Sequence, residues 1–377
     1  MRFTVERDAL ADAVGWVART LPSKPVLPVL SGMLLHAGAH GLTLSCFDYD
    51  VSALMTIDAE VDDPGAALVP GRLLAEITRS LPGLPVVFGE DPDGVAISCG
   101  TASFTLVSLN PDEYPALPEL PVLAGVVDGG DLAAAIGQIT PAASRDDTLP
   151  ILTGVNLELS ASTITLVATD RYRLAVRELG WDCEAEPHPG LLVPARSLTD
   201  AARMMSPGTP VRIMLGADPG TDAMVGFDAG DRRLTTRLIA GEFIKYRSRF
   251  PAEFGCHAEV PAAAFSEALR RASLVAEPGT PIRLSFAPDR VTVEAGTKGH
   301  ARATETVTAE FSGDEPSIAF SPQYLMDGVT AASVGLHAGD GDGPPRVRLE
   351  FTSSTKPAVI TGGDDFRYLV VPQRIYA

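Results

Sequence analysis

Residues 149–176 read LPILTGVNLELSASTITLVATDRYRLAV, and two other stretches of the chain follow the same pattern. LPVLSGMLLHAGAHGLTLSCFDYDVSAL spans residues 27–54, and a fainter copy, TPIRLSFAPDRVTVEAGTKGHARAT, spans residues 280–304. Each copy has an extended apolar run, a short polar turn and then alternating apolar residues: Leu42 and Leu44, Ile164 and Leu166, Val291 and Val293. Alternation with period two beside turn residues predicts a β-hairpin in each copy.

A second element follows each hairpin at a similar distance. The three copies are LVPGRLLAEITRSLPG from Leu68, LVPARSLTDAARMMSPG from Leu192 and AFSPQYLMDGVTAA from Ala319. Each predicts a strand end, a proline suited to the first turn of a helix, and about three helical turns. The copies lie about 125 residues apart, so three units nearly fill the 377 residues.

A helical pattern also precedes each hairpin. Apolar residues fall on one helical face in three places: Leu10, Val14, Val17 and Leu21; Leu132, Ile136 and Ile139; Phe265, Leu269, Ala272 and Ala276. The sequence therefore predicts an α+β protein of three repeated domains, each with two helices packed on antiparallel sheet. Proline-containing connectors at 113–121 and 245–254 set the predicted domains at 1–121, 122–252 and 253–377.

The composition limits the class of protein. The formal charge is −18, with 30 Lys+Arg against 48 Asp+Glu, which argues against a protein that simply coats DNA. The four cysteines lack CxxC spacing and indicate neither a zinc site nor a disulfide framework. The sequence has no apolar run of membrane-spanning length and no signal-peptide pattern at MRFTVERDAL, so we expect a cytoplasmic protein.

Motifs for catalysis or cofactor binding do not occur. The chain lacks GxxxxGK[ST], GxGxxG and GxSxG, and His36 and His40 flank a turn instead of sharing a helix face. We therefore expect no cofactor, no metal and no catalytic activity. An enzyme that uses Asp48, Asp50 and Asp170 as acid–base groups remains an alternative, as does a repeat scaffold that binds only proteins.

Arginines recur on the second helix of two units. Arg72 and Arg79 lie opposite the predicted core face of Leu73, Leu74, Ile77 and Leu81. Arg196 and Arg203 lie opposite Leu198, Ala201, Ala202 and Met205. Residues seven apart are two turns apart, so each pair predicts a basic stripe, although scattered surface arginines would look the same. Arg270 and Arg271 flank the solvent side of the helix that opens the third unit. Such stripes favour an anionic target, and a closed ring of two chains would pair every open sheet edge.

These residues carry a resemblance to a known family. MRFTVERDAL, KPVLPVLSGMLL, VPGRLLAEITRSLP, RDDTLPILTGV, VATDRYRLAV, KYRSRFP, IRLSF and YLVVPQRI together resemble the bacterial DNA polymerase III beta subunits, the replicative sliding clamps, of actinobacterial type. The resemblance implies the DNA-clamp fold and a head-to-tail homodimer that forms a ring around duplex DNA. It also implies a non-catalytic processivity subunit that binds the polymerase alpha subunit, the clamp loader and other replication and repair proteins, with no membrane contact.

The resemblance also implies site residues. Lys24, Arg72 and Arg196 match DNA-contacting positions, and Arg145 lies in a loop that contacts DNA in relatives. With the basic stripes, the candidate DNA-binding residues are Lys24, Arg72, Arg79, Arg145, Arg196, Arg203, Arg270 and Arg271. The implied partner-peptide groove consists of Leu152, Thr169, Arg171, Tyr172, Arg173, Leu174, Ile244, Tyr324, Thr355, Val371, Pro372, Gln373, Arg374 and Ile375.

Two groove positions depart from the family pattern. GEFIKYR places Ile244 where relatives commonly carry proline, and VVPQRIYA places Val371 where methionine is common. Exchanging proline for isoleucine adds a flexible side chain and a backbone N–H, so the pocket should change shape while it stays apolar. This predicts a divergent or second-copy clamp that still binds partner peptides but resists a clamp-targeting inhibitor.

Overall fold

The computed structural model describes residues 1–119, 122–184, 186–216, 223–297, 300–314, 316–336 and 343–374. Within these residues the elements repeat three times in the same order. Each repeat consists of a strand, a helix, five strands, a second helix and three strands. The predicted α+β class with three repeated domains is confirmed. None of the helices in this described part of the chain is long and apolar enough to cross a membrane.

The first repeat contains the hairpin at residues 27–54. Its elements are β1 (Arg2–Val5), α1 (Arg7–Val17), β2 (Gly32–Gly38), β3 (Gly41–Phe47), β4 (Val51–Ile57), β5 (Glu60–Asp63), β6 (Gly65–Pro70), α2 (Gly71–Ser80), β7 (Val86–Asp91), β8 (Gly94–Cys99) and β9 (Ala102–Leu106).

The second repeat contains the hairpin at residues 149–176. Its elements are β10 (Val122–Asp128), α3 (Gly129–Ile139), β11 (Gly154–Leu159), β12 (Thr163–Thr169), β13 (Arg173–Gly180), β14 (Asp182–Cys183), β15 (His188–Pro194), α4 (Ala195–Ala202), β16 (Pro210–Leu215), β17 (Met224–Asp228) and β18 (Arg232–Arg237).

The third repeat contains the fainter hairpin. Its elements are β19 (Cys256–Pro261), α5 (Ala262–Ser273), β20 (Ile282–Ala287), β21 (Arg290–Gly296), β22 (Arg302–Thr308), β23 (Glu310–Ser312), β24 (Ser317–Phe320), α6 (Pro322–Ala332), β25 (Arg346–Phe351), β26 (Ala358–Thr361) and β27 (Phe366–Val370). The domain boundaries at 121 and 252 stay a prediction.

Every repeat contributes one set of five strands and one set of four. The five-stranded sets run β5-β1-β7-β8-β9, β14-β10-β16-β17-β18 and β23-β19-β25-β26-β27. The four-stranded sets run β6-β2-β3-β4, β15-β11-β12-β13 and β24-β20-β21-β22. A five-stranded set joins a four-stranded set where β18 pairs with β4, and again where β27 pairs with β13, which gives two nine-stranded sheets. The strands β9 and β22 are left as edges of their own sheets.

The chain forms two compact units. One consists of residues 1–129, 183–185 and 203–238, and the other of 130–182, 186–202 and 239–377. The β4–β18 joint lies in the first unit and the β13–β27 joint in the second. Each joint is therefore part of a continuous packed body.

The predicted apolar helix faces are buried with few exceptions. Helix α1 buries Leu10, Val14 and Val17, and Leu21 is buried after a 3₁₀ turn at 18–20. Leu132, Ile136 and Ile139 of α3 are also buried. Ala276 is half-buried, because α5 ends at Ser273 and the predicted face extends past it.

Two predictions about the second helices were wrong. Leu73 does not belong to the core face of α2, because its side chain is 45% exposed at the flank of the helix. Helix α4 ends at Ala202 after eight residues, so it is shorter than the predicted three turns and ends one residue before Arg203. Pro207 disfavours helical backbone at the residue before it, and Gly208 turns the chain with φ of 73° toward β16.

Candidate functional site

The turn between β12 and β13 holds four of the predicted groove residues in a tight conformation. The Thr169 hydroxyl donates to the Arg173 carbonyl at 2.6 Å and accepts from the Arg171 N–H at 3.2 Å. Asp170 Oδ1 accepts from the backbone N–H groups of Tyr172 and Arg173 at 3.0 and 3.1 Å. Arg171 has a φ of 80°, a left-handed conformation that non-glycine residues seldom adopt.

The same turn closes the hairpin of the first repeat. Asp48 Oδ1 accepts from the N–H groups of Asp50 and Val51 at 3.0 and 2.8 Å, and Tyr49 has a φ of 74°. The left-handed residue is therefore a property of the repeated turn. This arrangement uses Asp48 and Asp170 as backbone acceptors, which is a structural role.

Arg173 is a buried cation held by two carboxylates. Its Nε donates to Asp170 at 2.9 Å and its Nη1 to Asp327 of α6 at 2.5 Å, and its side chain is 9% exposed. The guanidinium also lies 4.4 Å from the centre of the Tyr324 ring. Burial alone would lower the pKa of Arg173, but Tyr368, Asp327 and Asp170 more than offset it, so the pKa is raised. The ion pairs of Arg173 with Asp170 and Asp327 therefore link the β12–β13 turn to α6.

Tyr324, which lies over this cation, forms a stacked pair with a second tyrosine near the surface. The rings of Tyr172 and Tyr324 stack with centroids 6.2 Å apart, and Tyr172 is 53% exposed. The Tyr172 carbonyl accepts from the N–H of Val371 at 2.9 Å, which holds the C-terminal segment beside the turn. The structure thus brings Tyr172, Arg173, Tyr324 and Val371 close together.

An apolar cluster lies beside the turn. Leu174 packs with Val167, Val176, Tyr246 and Leu369, and the partly buried residues against this cluster are Phe243, Phe250 and Val371. Leu152 is also buried, at 9% exposure. The sequence pattern predicts a connector at residues 245–254, and Phe243, Tyr246 and Phe250 were missed as part of the site. Their spacing of three and four residues was the available signal.

Ile244 has a different environment from the one expected. It is 38% exposed and lines a cleft of ≈ 600 Å³ together with Asn156, Glu158 and Gly190. Its neighbours Phe243 and Tyr246 line the same cleft and also contact the apolar cluster. The connector at 241–248 therefore separates the cleft from the cluster.

The remaining groove candidates are spread out. Pro372 is half-buried next to Val371, whereas Thr355 is exposed in the turn after β25. Gln373 and Arg374 line another cavity of ≈ 950 Å³ with Arg283, Glu294 and Arg302. Ile375 lies outside the described residues.

The basic candidates differ in what surrounds them. Arg79 and Arg196 are exposed and form no ion pair with a described residue, and Lys24 and Arg145 are exposed in loops. Arg72 donates to the carbonyl oxygens of Leu21 and Pro22 at 3.4 and 3.2 Å. Arg203 is exposed in the turn that follows α4.

Arg270 and Arg271 are engaged by carboxylates. Arg270 pairs with Glu267 at 2.7 Å, and Arg271 pairs with Glu305 of β22 at 2.8 Å and with Glu267 at 3.4 Å. Their charge is partly neutralised within the chain. Among the described residues, no group of three His, Cys, Asp or Glu side chains is placed to hold a metal ion.

Family models match the chain from end to end. Residues 1–118 match the N-terminal domain of the DNA polymerase III beta subunit, residues 126–245 its central domain and residues 247–374 its C-terminal domain. Three consecutive matches of this kind define the class as a DNA polymerase clamp subunit.

Relatives agree with that class. The chain is 44% identical to the beta sliding clamp of Streptomyces coelicolor over 100% of both chains. It is 47% identical to that of Micrococcus luteus over 81% of this chain and 98% of the relative. It is also 40% identical to the beta sliding clamp homolog GriR of Streptomyces muensis over 100% of both. The chain belongs to the beta sliding clamp family.

Solved structures confirm the predicted DNA-clamp fold. The sliding clamp of Bacillus subtilis matches with a TM-score of 0.88 at 27% identity. The Pseudomonas aeruginosa sliding clamp bound to griselimycin matches with a TM-score of 0.87 at 26% identity. Both alignments cover 100% of each chain.

Proposed function

We propose that this chain is a sliding clamp that encircles duplex DNA as a head-to-tail dimer and tethers the replicative polymerase. The observation that carries the proposal is the arrangement of sheet edges. Every five-stranded set ends in β9, β18 or β27, and every four-stranded set ends in β4, β13 or β22. Four of these six edges are joined in pairs within the chain, which leaves β9 and β22 of the six without a partner strand in the described residues. Because open edges favour strand pairing, β22 of one chain should pair with β9 of another.

The strands at the two joints have the same register. Leu234 of β18 lies opposite Ala53 of β4, and Tyr368 of β27 lies opposite Ala175 of β13. All four residues are at most 1% exposed. A large side chain therefore packs opposite an alanine at each joint.

The open edges carry the equivalent residues. On β9, Phe104 lies opposite Ile97 of the neighbouring strand, as Leu234 lies opposite Phe227 and Tyr368 opposite Ile360. This equivalence assigns Phe104 to the position of the large side chain.

The four-stranded edges align in the same way. On β22, Ala303 lies opposite Ala295, as Ala53 lies opposite Cys46 and Ala175 opposite Ala168. The expected dimer register therefore places Phe104 of one chain opposite Ala303 of its partner. Both residues are half-buried in the single chain, which is consistent with a missing neighbour.

Assembly is tested by light scattering at micromolar concentration. We expect a particle of twice the chain mass of 39.5 kDa. A protein that stays monomeric under these conditions would contradict the ring.

DNA contact should depend on exposed arginines of the second helices. Replacing Arg79 and Arg196 together by Glu should lower the amount of clamp loaded on DNA at least tenfold, because phosphate contacts become repulsions. If both contact phosphates, the slope of log affinity against log salt should also fall by about 2. Melting temperature should stay unchanged, since both side chains are exposed.

The control variant carries Arg2→Glu and Arg290→Glu, which make the same change of net charge at exposed positions outside the second helices. This variant should load like the wild type. Equal losses in both variants would show that only net charge matters, and the proposed role of the helices would then be wrong.

The groove should hold an extended peptide with Leu or Phe anchors from the polymerase alpha subunit, the clamp loader and other replication and repair proteins. The apolar cluster, together with the exposed Tyr172 next to the buried Arg173, suits such a ligand. The clamp would act without catalysis or cofactor, in the cytoplasm, by keeping the polymerase at a high effective concentration on DNA.

A second candidate function concerns resistance. We further propose that this chain is a divergent clamp whose groove resists a cyclic-peptide inhibitor, supported by Ile244 and by the 40% identity with the GriR homolog. Ile244→Pro should tighten binding of griselimycin about tenfold, which is about 1.4 kcal/mol of binding free energy. The affinity for a polymerase peptide should change less than about threefold, or less than about 0.7 kcal/mol. Isothermal titration of both ligands checks this. An unchanged griselimycin affinity with a shifted peptide affinity would reject the resistance role.

A further inference from the structure

The cleft behind the 241–248 connector has an unusual polar wall. Asn156 of β11 lines this cleft and is only 5% exposed. No described residue makes a hydrogen bond with its side-chain amide. The amide faces the solvent-filled cleft, so a ligand that enters the cleft can replace water as its hydrogen-bond partner.

The neighbouring strand β15 leaves room for this amide. Gly190 of β15 lies so close that a Cβ atom there would come within 2.6 Å of Asn156 Oδ1. Glu158, two residues further along β11, accepts from the Tyr246 hydroxyl at 3.1 Å and pairs with Arg247 at 2.5 Å. Burial and the neighbouring Glu158 raise the pKa of Tyr246, so the hydroxyl stays a donor. Glu158 is therefore already paired within the chain, whereas the Asn156 amide makes no hydrogen bond with a described residue.

The first repeat provides an internal comparison. Its equivalent of Asn156 is Leu34, because Gly32 and Gly154 both begin the strand and lie opposite Pro70 and Pro194. Leu34 packs with Leu109 and Leu117 against a buried cluster of Phe47, Leu68 and Tyr114. The same face is thus filled by apolar side chains in one repeat and bears an unpartnered amide beside a cleft in the other.

We propose that this cleft is an additional peptide subsite that binds the backbone of partner segments flanking the groove-binding anchor. An Asn amide offers one acceptor and two donors, which match the N–H and C=O of a peptide group. Phe243 and Tyr246 line the cleft and contact the Leu174 cluster, so a chain anchored in the groove can continue across Ile244 into the cleft. This inference rests on the proposed function of the groove.

The test compares a short polymerase-derived peptide carrying only the Leu and Phe anchors with versions lengthened by four residues at either end. Fluorescence anisotropy gives the dissociation constants. One lengthened peptide should bind the wild type about 3- to 10-fold more tightly than the short one, the gain expected for one or two hydrogen bonds.

Two variants separate the cleft from the groove. Asn156→Leu, which introduces the residue of the first repeat, should abolish the gain from lengthening and leave the short peptide within twofold of wild type. Asn156→Asp removes the donors at nearly constant shape and should reduce the gain. Equal weakening of short and long peptides, or no gain in the wild type, would overturn the subsite. Failure of the short peptide to bind the wild type would overturn the groove as well.

Discussion

Ala303→Glu is expected to convert the dimer into monomers. The register inferred from the two joints places Ala303 opposite Phe104 of the partner, on the face of β22 that packs toward α5. A carboxylate there would be desolvated against an aromatic ring without a cation, so the dimer dissociation constant should rise at least about a hundredfold, or about 2.7 kcal/mol. Sedimentation velocity over a dilution series measures the change.

The variant should still fold as a chain. Glu305 already lies two residues along the same face of β22 and pairs with Arg271. Thr308→Glu is the matched control, because Thr308 is exposed on the same strand, pairs with Arg290 of β21 and lies past the predicted overlap with β9. If Ala303→Glu dimerises like Thr308→Glu, the inferred register is wrong.

Among the substitutions considered, Arg173→Met should cause the largest decrease in the unfolding free energy of the chain. The substitution leaves Asp170 and Asp327, which are 11% and 19% exposed, without their shared cation. Removing one partner of a buried ion pair costs about 3–5 kcal/mol. Urea unfolding at fixed protein concentration should show this decrease in unfolding free energy.

A double variant identifies the cause. Adding Asp327→Leu to Arg173→Met removes one stranded carboxylate and should recover at least about 1 kcal/mol. Arg271→Met is the surface control and should leave the unfolding free energy almost unchanged, since its ion pairs are exposed to solvent. If Arg173→Met is as mild as Arg271→Met, the buried network does not fasten the turn to α6.

The repeated hairpins could be predicted because their signal is local. Leu42, Leu44, Ile164, Leu166, Val291 and Val293 alternate in the sequence, and all six are fully buried in the structure. The buried faces of the helices could also be predicted from helical periodicity, apart from Leu73 at the flank of α2. The end of α4 was predicted too far along the chain. The helical pattern continues to Met205, but Pro207 and Gly208 follow it and turn the chain, and the helix ends at Ala202.

The details of the site depended on contacts distant in sequence. Arg271 and Glu305 are 34 residues apart, and Arg173 and Asp327 are 154 apart, so neither ion pair leaves a local pattern. Asn156 lies in β11, and its position on a cleft is evident only when residues 241–248, distant in sequence, line the same cleft. The resemblance supplied Tyr172, Arg173 and Leu174, whereas the structure added Phe243, Tyr246 and Phe250.

The proposed ring is tested most directly by loading the wild-type protein onto a nicked circular plasmid with the clamp loader of the same organism. Gel filtration then measures how much clamp stays with the DNA before and after a single restriction cut. A closed ring should be retained on the circle and lost from the linear DNA, because it slides off the ends. Equal retention on circular and linear DNA, or no retention on either, would contradict encirclement.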